Sequence, residues 1–456
     1  MSLLKSKKKI FLISAIIFFC LIFFYLFSVV GDIVRYGYDK QNKVIEIVKS
    51  IIPPHYVKKI RDKVFIVSNL KSKNKILELQ VRKYEQGYEG QKFDTKIIEL
   101  NNINYEVNFF FLPFKRLDVN LGWNAVMNSL RAHYAEIKDE KIFLISGEGK
   151  TVYFEKKNLE GDSLNFKELD NNIETILTDN NFQLIGIRDL YFHNDQIFIS
   201  MLTKDEKGIT IKLYKANLNF KKLEFDLFFS TNEYWDKYNV FSGGRIDKFD
   251  EENILFSIGF AYEKNAAQEM DSLLGKIINI NLKSKESKII SLGHRNPQGL
   301  KYVKSENLII NSEHGPKGGD EINFNKINRG EKIKNFGWDI ASYGTAYDGT
   351  DPFKKSHADY GFVEPIKYYT PSIGISEVLF LEKNSFCESK CLWTSSLRAN
   401  SIYVSNIENN FEKLVPIERI FLKGNRIRDI DYDYELDQVI LVSENVPALL
   451  SIKKKK

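Results

Sequence analysis

Cysteine is scarce, with three residues in a chain of 456. Cysteine-ligated zinc clusters and dense disulfide frameworks are therefore excluded. A basic surface is missing as well. The formal charge of +6 is smaller than the contribution of the eight lysines Lys5, Lys7, Lys8, Lys9, Lys453, Lys454, Lys455 and Lys456. The body between them is slightly acidic and offers no field for general nucleic-acid binding. Proline numbers only ten, against 34 phenylalanines and 23 tyrosines, a balance that favours β structure. With 43% apolar and 28% charged residues the chain can bury a sizeable core, which excludes wholesale disorder. Its length suits two or three domains, or one large repetitive one.

One long hydrophobic run does occur. Residues 10–30 are 21 positions without a charge, dense in Ile, Phe and Leu. As a helix they would span roughly 30 Å, the thickness of a bilayer core. Lysines precede the run and Asp32 follows it, so the expectation is an anchor with residues 1–9 in the cytoplasm and the rest exported. A cleaved signal peptide would have a shorter apolar region with small residues at the cut.

Residues 31–63 read as a juxtamembrane linker, broken at Pro53 and Pro54. Beyond it no 3.6-residue periodicity is sustained. Short apolar runs return instead, as in Ile142-Phe143-Leu144-Ile145, Ile197-Phe198-Ile199, Ile254-Leu255-Phe256 and Val439-Ile440-Leu441-Val442. A polar turn tends to precede each run and a small or polar residue to follow it. Nearly 400 residues of such units suit an all-β fold, a six-bladed β-propeller over residues 116–456. Residues 64–115 are expected to help close it or to form a small β addition. Two unrelated β domains are the competing architecture. Cys387 and Cys391 have the spacing and exported setting for a local disulfide, while Cys20 lies inside the apolar run.

One block carries chemistry. It runs Gly293-His294-Arg295-Asn296-Pro297-Gln298-Gly299, then Ser312-Glu313-His314-Gly315-Pro316 through Gly318-Gly319-Asp320-Glu321, then Asn335-Phe336-Gly337-Trp338 and Ser342-Tyr343-Gly344. Leu273-Leu274-Gly275-Lys276-Ile277, Thr370-Pro371-Ser372-Ile373, Ser396-Leu397-Arg398 and Asn425-Arg426-Ile427-Arg428-Asp429 accompany it. Together these motifs resemble the glucose/sorbosone dehydrogenase family, soluble six-bladed propellers that use pyrroloquinoline quinone (PQQ) and calcium to oxidise sugars. The resemblance covers about residues 120–450 and is densest from about 285 to 345.

The resemblance implies that Arg295, Asn296, Arg398, Arg426 and Arg428 contact or surround PQQ. Guanidinium forks suit a planar tricarboxylate. It also implies that the carbonyls of Gly315 and Pro316 hold calcium, a hard ion that takes oxygen ligands. Arg398 stands where the family usually has lysine. Asp320 and Glu321 match an acidic pair that supports the loop. The competing reading is a packed loop scaffold whose arginines pair with local acids, such as Arg428 with Asp429.

The family's catalytic histidine is not matched. Spacing from Arg245 in Phe241-Ser242-Gly243-Gly244-Arg245 puts Phe241 at that position, and a phenyl ring cannot accept a proton. The family's glutamine-glycine-glycine motif has no clear counterpart, Gln183 being one position off. His133, His193 and His357 are the histidines left as replacement bases, and each reads as a turn or surface residue. Two functions compete: an exported, membrane-anchored PQQ- and calcium-dependent sugar dehydrogenase, and a non-catalytic propeller that binds an anionic ligand, a carbohydrate or a protein partner. A calcium-dependent hydrolase would need a ring of metal carboxylates that the sequence does not assemble.

Overall fold

The computed structural model describes residues 89–114, 129–235, 241–261, 263, 265–328 and 330–455. The expected cytoplasmic tail, the membrane segment 10–30 and the linker 31–63 lie outside them. Among the described residues no helix is long and apolar enough to cross a membrane.

Strands dominate and form six antiparallel sheets in chain order around one axis. Their innermost strands are His133–Lys138, Gln183–His193, Gly243–Lys248, Pro297–Val303, Ile375–Leu381 and Ile427–Asp433, which define blades 1 to 6. Each inner strand touches that of the next blade, and blade 6 touches blade 1. The described residues form a closed six-bladed propeller. Four blades have four strands and two have five. In blade 3 the fifth strand, Lys334–Asn335, runs parallel to Ser287–Leu292.

The sixth blade is completed from the other end of the chain. Ala448–Lys454 pairs with Ile103–Phe111, which pairs in turn with Lys92–Leu100. A ring of blades would otherwise leave the last sheet with a long unpaired edge, a template for unwanted pairing. Tyr105 of this segment stacks on Phe386 at 4.9 Å, and its hydroxyl donates to the Ser385 carbonyl. Phe386 belongs to the turn that Cys387 and Cys391 close as a disulfide.

Blade strands are apolar on both faces because each sheet is packed between two others. One hydrophobic cluster fills the gap between blades 1 and 2, with Phe143, Ile145, Ile187 and Ile199. Another joins blades 5 and 6 through Trp393, Val404, Ile430 and Leu441. Trp393 is fully buried, and truncating such a side chain to alanine typically costs about 3–5 kcal/mol.

Along the axis the inner strands present a free edge of backbone N–H groups, and acids from the neighbouring blade satisfy them. Asp189 accepts from Ile246 N at 2.7 Å, Asp247 from Tyr302 N at 2.6 Å, Glu377 from Leu300 N at 3.0 Å and Asp429 from Ala135 N at 2.8 Å. Arg245 occupies the centre. Its guanidinium reaches Asp189 at 2.7 Å, Glu377 at 2.8 Å and Asp429 at 2.9 Å, and donates to the Gln298 carbonyl at 2.8 Å. It also sits 4.8 Å from the Tyr134 ring centre. One side chain of blade 3 thus contacts the other five blades. A single cation cannot neutralise three carboxylates. Burial, opposed by Arg245 and reinforced by neighbouring acids, pushes Asp189 up to about 7 and Glu377 up to about 8.

Candidate functional site

Because strands alternate in direction, the loop entering each inner strand and the loop joining the second and third strands open at the same end of the axis. Phe241, Arg295, Asn296 and Arg426 precede the inner strands of blades 3, 4 and 6. Gly315, Pro316 and Arg398 lie on the second-to-third-strand loops of blades 4 and 5. Arg428 is the second residue of the blade 6 inner strand. The fold brings all of these to one end, from segments more than 100 residues apart.

Arg295 is buried in a box of rings. Its guanidinium carbon is 4.5 Å from the centre of Phe241, 5.1 Å from Trp338, 5.8 Å from Phe260 and 5.9 Å from Tyr347. Nη1 donates to the His314 carbonyl at 2.8 Å and Nη2 approaches the Tyr347 hydroxyl at 3.4 Å. Nε is buried without a partner. An orphaned buried donor is costly unless a ligand or water meets it. The Arg295 backbone is fixed from behind, its N–H donating to Glu313 at 2.6 Å and its carbonyl accepting from Phe260 N at 2.9 Å. Burial would raise the Glu313 carboxyl, but His294 and the Arg295 and Asn311 hydrogen bonds hold it below its ordinary value.

The arginines differ in how far they are committed. Arg428 spends all three nitrogens, with Nε and Nη2 each 2.8 Å from Glu444 and Nη1 2.8 Å from the Gln298 side-chain oxygen. Its partner is Glu444, not Asp429, which belongs to Arg245. Arg426 gives only Nε to Glu444, at 2.7 Å, and Arg131 approaches the same carboxylate at 3.3 Å. Three guanidinium groups therefore converge on one buried acid, held well below the usual carboxylate range against the penalty of burial. Both Nη groups of Arg426 stay uncommitted among the described residues. Arg398 is exposed and makes no side-chain hydrogen bond or ion pair among them; its backbone N–H donates to the Ile373 carbonyl at 3.0 Å. The Asn296 side-chain oxygen accepts from Gly243 N and Gln298 Nε2, both at 3.2 Å, tying blade 4 to blade 3.

The Gly315–Pro316 turn is held by Asp320, whose two oxygens accept from Gly315 N at 3.1 Å and from Ile375 N at 3.0 Å. Only glycine fits at 315, since a Cβ there would lie 2.1 Å from the Gly319 carbonyl oxygen. Neither the Gly315 nor the Pro316 carbonyl is taken by a hydrogen bond among the described residues. Among the described residues no group of three or more His, Cys, Asp or Glu side chains is arranged to hold a metal ion, so a cation at this turn would depend on carbonyl oxygens. Glu321 faces the buried His357 at 3.5 Å, and burial together with Glu313 raises its carboxyl well above the ordinary value.

The histidines meet the sequence expectation in part. His133, His193 and His357 are all buried rather than on the surface, although His193 flanks the hairpin turn to Gln196 and His357 opens the turn to Tyr360. His133 packs on Phe114, His193 bonds the Glu251 carbonyl at 3.1 Å, and His357 stacks on Tyr343 at 5.5 Å. None of the three is on Phe241 or Arg295. His314 lines a small cavity with Arg295, Gly315 and Trp338, and burial, with help from Arg428 and Arg295, lowers it to about 4. It is neutral at physiological pH. The sequence reading missed Glu444, Gln298, Arg131, Phe260 and Tyr347 as parts of this end. Only Gln298 lay inside a quoted motif.

Three comparisons bear on this arrangement. The Glucose / Sorbosone dehydrogenase family model matches residues 179–450. Aldose sugar dehydrogenase YliI of Escherichia coli (strain K12) is 31% identical over 227 residues, 46% of this chain and 59% of that protein. The chain thus spans less than two-thirds of the length of the curated relatives it matches. Among solved structures, the apo soluble aldose sugar dehydrogenase of Escherichia coli superposes with a TM-score of 0.58 at 21% identity, covering 71% of this chain and 95% of that one. The PQQ-bound aldose sugar dehydrogenase of Streptomyces coelicolor gives 0.53 at 16% identity, covering 76% and 98%. At these identities the structural likeness speaks for the fold, and the family model speaks for descent. The chain belongs to the glucose/sorbosone dehydrogenase family and carries its aldose sugar dehydrogenase-like six-bladed propeller.

Proposed function

We propose that this chain is a membrane-anchored, exported propeller that binds PQQ with calcium and acts on a sugar. The observation that carries this is the set of guanidinium donors left uncommitted at one end of the axis: buried Arg295 Nε, the Nη groups of Arg426, and Arg398. They suit the carboxylates of a planar polyanion. Arg428 and Asn296 have a different part, holding Glu444, Gln298 and Gly243 in place. The Gly315 and Pro316 carbonyls suit calcium. When bound, PQQ supplies a two-electron acceptor for hydride from the sugar carbon. Trp338 and Phe260, which wall Arg295, would keep water from its guanidinium, and Arg295 would fix the cofactor's orientation.

Among the described residues we find no strong base beside Phe241 to accept the proton of the sugar hydroxyl. Phe241 stands at the base position, and His314, lowered to about 4, is a weak base. Loss of a general base typically costs about 10²–10⁴ in rate. We therefore expect tight binding with slow turnover. The packing of Phe241 against Arg295 favours a second reading, a binding propeller that has lost oxidation.

The full chain in detergent, supplied with PQQ and calcium, tests both. Calorimetry should show binding, and aldose oxidation with an artificial acceptor should be slow. Absence of PQQ and calcium binding would sink the cofactor reading; binding with no turnover for any aldose supports the second. Protease added to spheroplasts should degrade the propeller, and full protection would refute the proposed orientation.

A further inference from the structure

Lys276 opens the third strand of blade 3, Lys276–Asn281, and is completely withdrawn from solvent. No carboxylate forms an ion pair with it among the described residues. Its ammonium donates instead to three backbone carbonyls, Ala266 at 2.8 Å, Leu274 at 2.8 Å and Ala267 at 3.1 Å. An ammonium has three N–H donors and no acceptor, so each is matched. The arrangement is that of a small cation among carbonyl oxygens, with the ion supplied by the chain itself.

The loop so held is the wall behind Arg295. Ala267 accepts from Gly293 N at 2.9 Å, and Phe260 N donates to the Arg295 carbonyl at 2.9 Å. Ala267, Phe260, Phe241 and Trp338 share one apolar cluster. Burial pulls the ammonium down to about 8, while Glu233, Glu269 and Asp271 oppose the fall, so it stays charged at neutral pH. Removing the charge would leave the Leu274 carbonyl without a donor among the described residues, and the Ala267 and Ala266 carbonyls with only the N–H groups of Gly293 and Glu269.

We propose that Lys276 is a positioning residue, a built-in cation that holds the Ala266–Leu274 stretch so that the rings of Phe260 and Trp338 present Arg295 to the cofactor. This rests on the PQQ reading of the site. The test compares the full-length wild type with Lys276→Ala and Lys276→Met, titrating PQQ with calcium against tryptophan fluorescence. Lys276→Ala removes the equivalent of propylammonium. Its affinity should fall roughly tenfold or more and recover with added propylammonium but not with 1-propanol. Lys276→Met, which keeps volume without charge, should stay weak while its circular dichroism remains native. Wild-type affinity in Lys276→Met, or equal rescue by propanol, would overturn the proposal. A wild type that binds no PQQ would instead fail the site reading. In that case hydrogen exchange across Phe260 and Ala266–Leu274, measured without PQQ, still decides: faster exchange in Lys276→Met supports positioning, and unchanged protection overturns it.

Discussion

The guanidinium carbon of Arg295 lies 4.5 Å from the centre of the Phe241 ring, a face-on cation–π contact between the entries to blades 4 and 3. Such a contact contributes about 0.5–2 kcal/mol, more when desolvated. It ties the residue at the expected base position to an arginine whose buried Nε has no partner among the described residues.

Phe241→Ala should weaken PQQ binding several-fold, because Arg295 loses one wall. Phe241→His should keep much of the affinity and raise dye-linked aldose oxidation. Calorimetry and the oxidation assay on the same preparations separate the two effects. A histidine variant that binds PQQ but shows no gain in rate would count against a lapsed enzyme.

Arg426 and Arg428 should behave oppositely. Arg426→Ala removes two uncommitted nitrogens and one bond to Glu444, which keeps Arg428 and Arg131, so PQQ affinity should drop by about 1.5–3 kcal/mol, the size of a charge-assisted bond, with a smaller loss of stability than in Arg428→Ala. Arg428→Ala leaves Glu444 and Gln298 without their main partner, and breaking a buried pair costs about 3–5 kcal/mol. Urea unfolding together with PQQ titration checks the ranking; equal loss of stability in both variants would refute it.

The axial carboxylates set a pH dependence. Glu377 is pushed up to about 8 by burial, whereas in the unfolded chain it ionises near 4.5. Between those values the folded state binds more protons, so this group makes stability fall as pH rises. Glu444 has the opposite sign: its stabilisation is present above the ordinary carboxylate range and is lost only in acid. Urea midpoints should therefore be higher at pH 5.5 than at pH 8, and Glu377→Gln should flatten that slope. A wild-type midpoint that climbs over this interval would contradict the assignment.

Asp320 should matter to the cation as well as to the loop. Asp320→Asn can satisfy only one of Gly315 N and Ile375 N through its single oxygen. We expect a stability loss of about 1–3 kcal/mol and weaker calcium binding by calorimetry. Unchanged calcium affinity in the folded variant would remove the turn from consideration as a cation site.

The blade pattern was legible because each blade is a local run of short strands, and Leu144, Ile199, Leu255 and Val439 mark it without long-range information. The axial contacts were not. Arg245 entered the sequence argument only as a ruler for placing Phe241, yet it reaches Asp429, 184 positions away. No local spacing encodes such a pair. Arg428 was visible as a cation beside Asp429, but the side chains of adjacent strand residues point to opposite faces, and Glu444 on the next loop takes it. The three histidines read as turn or surface residues, and their burial was not legible because a lone polar residue in a strand-rich sequence carries no mark of its depth.

The completion of blade 6 also imposes an order on biosynthesis. Tyr105 pairs with Lys454, so a strand that precedes all six inner strands must wait for one that follows them. Blades 1 to 5 are each local in sequence, but Ile103–Phe111 joins blade 6 only once Ala448–Lys454 is available. Pairings this distant in sequence fold slowly and leave edges exposed meanwhile. A nascent propeller of this kind depends on the speed of that step, and a chain cut short before residue 448 would leave Ile103–Phe111 without its partner in blade 6.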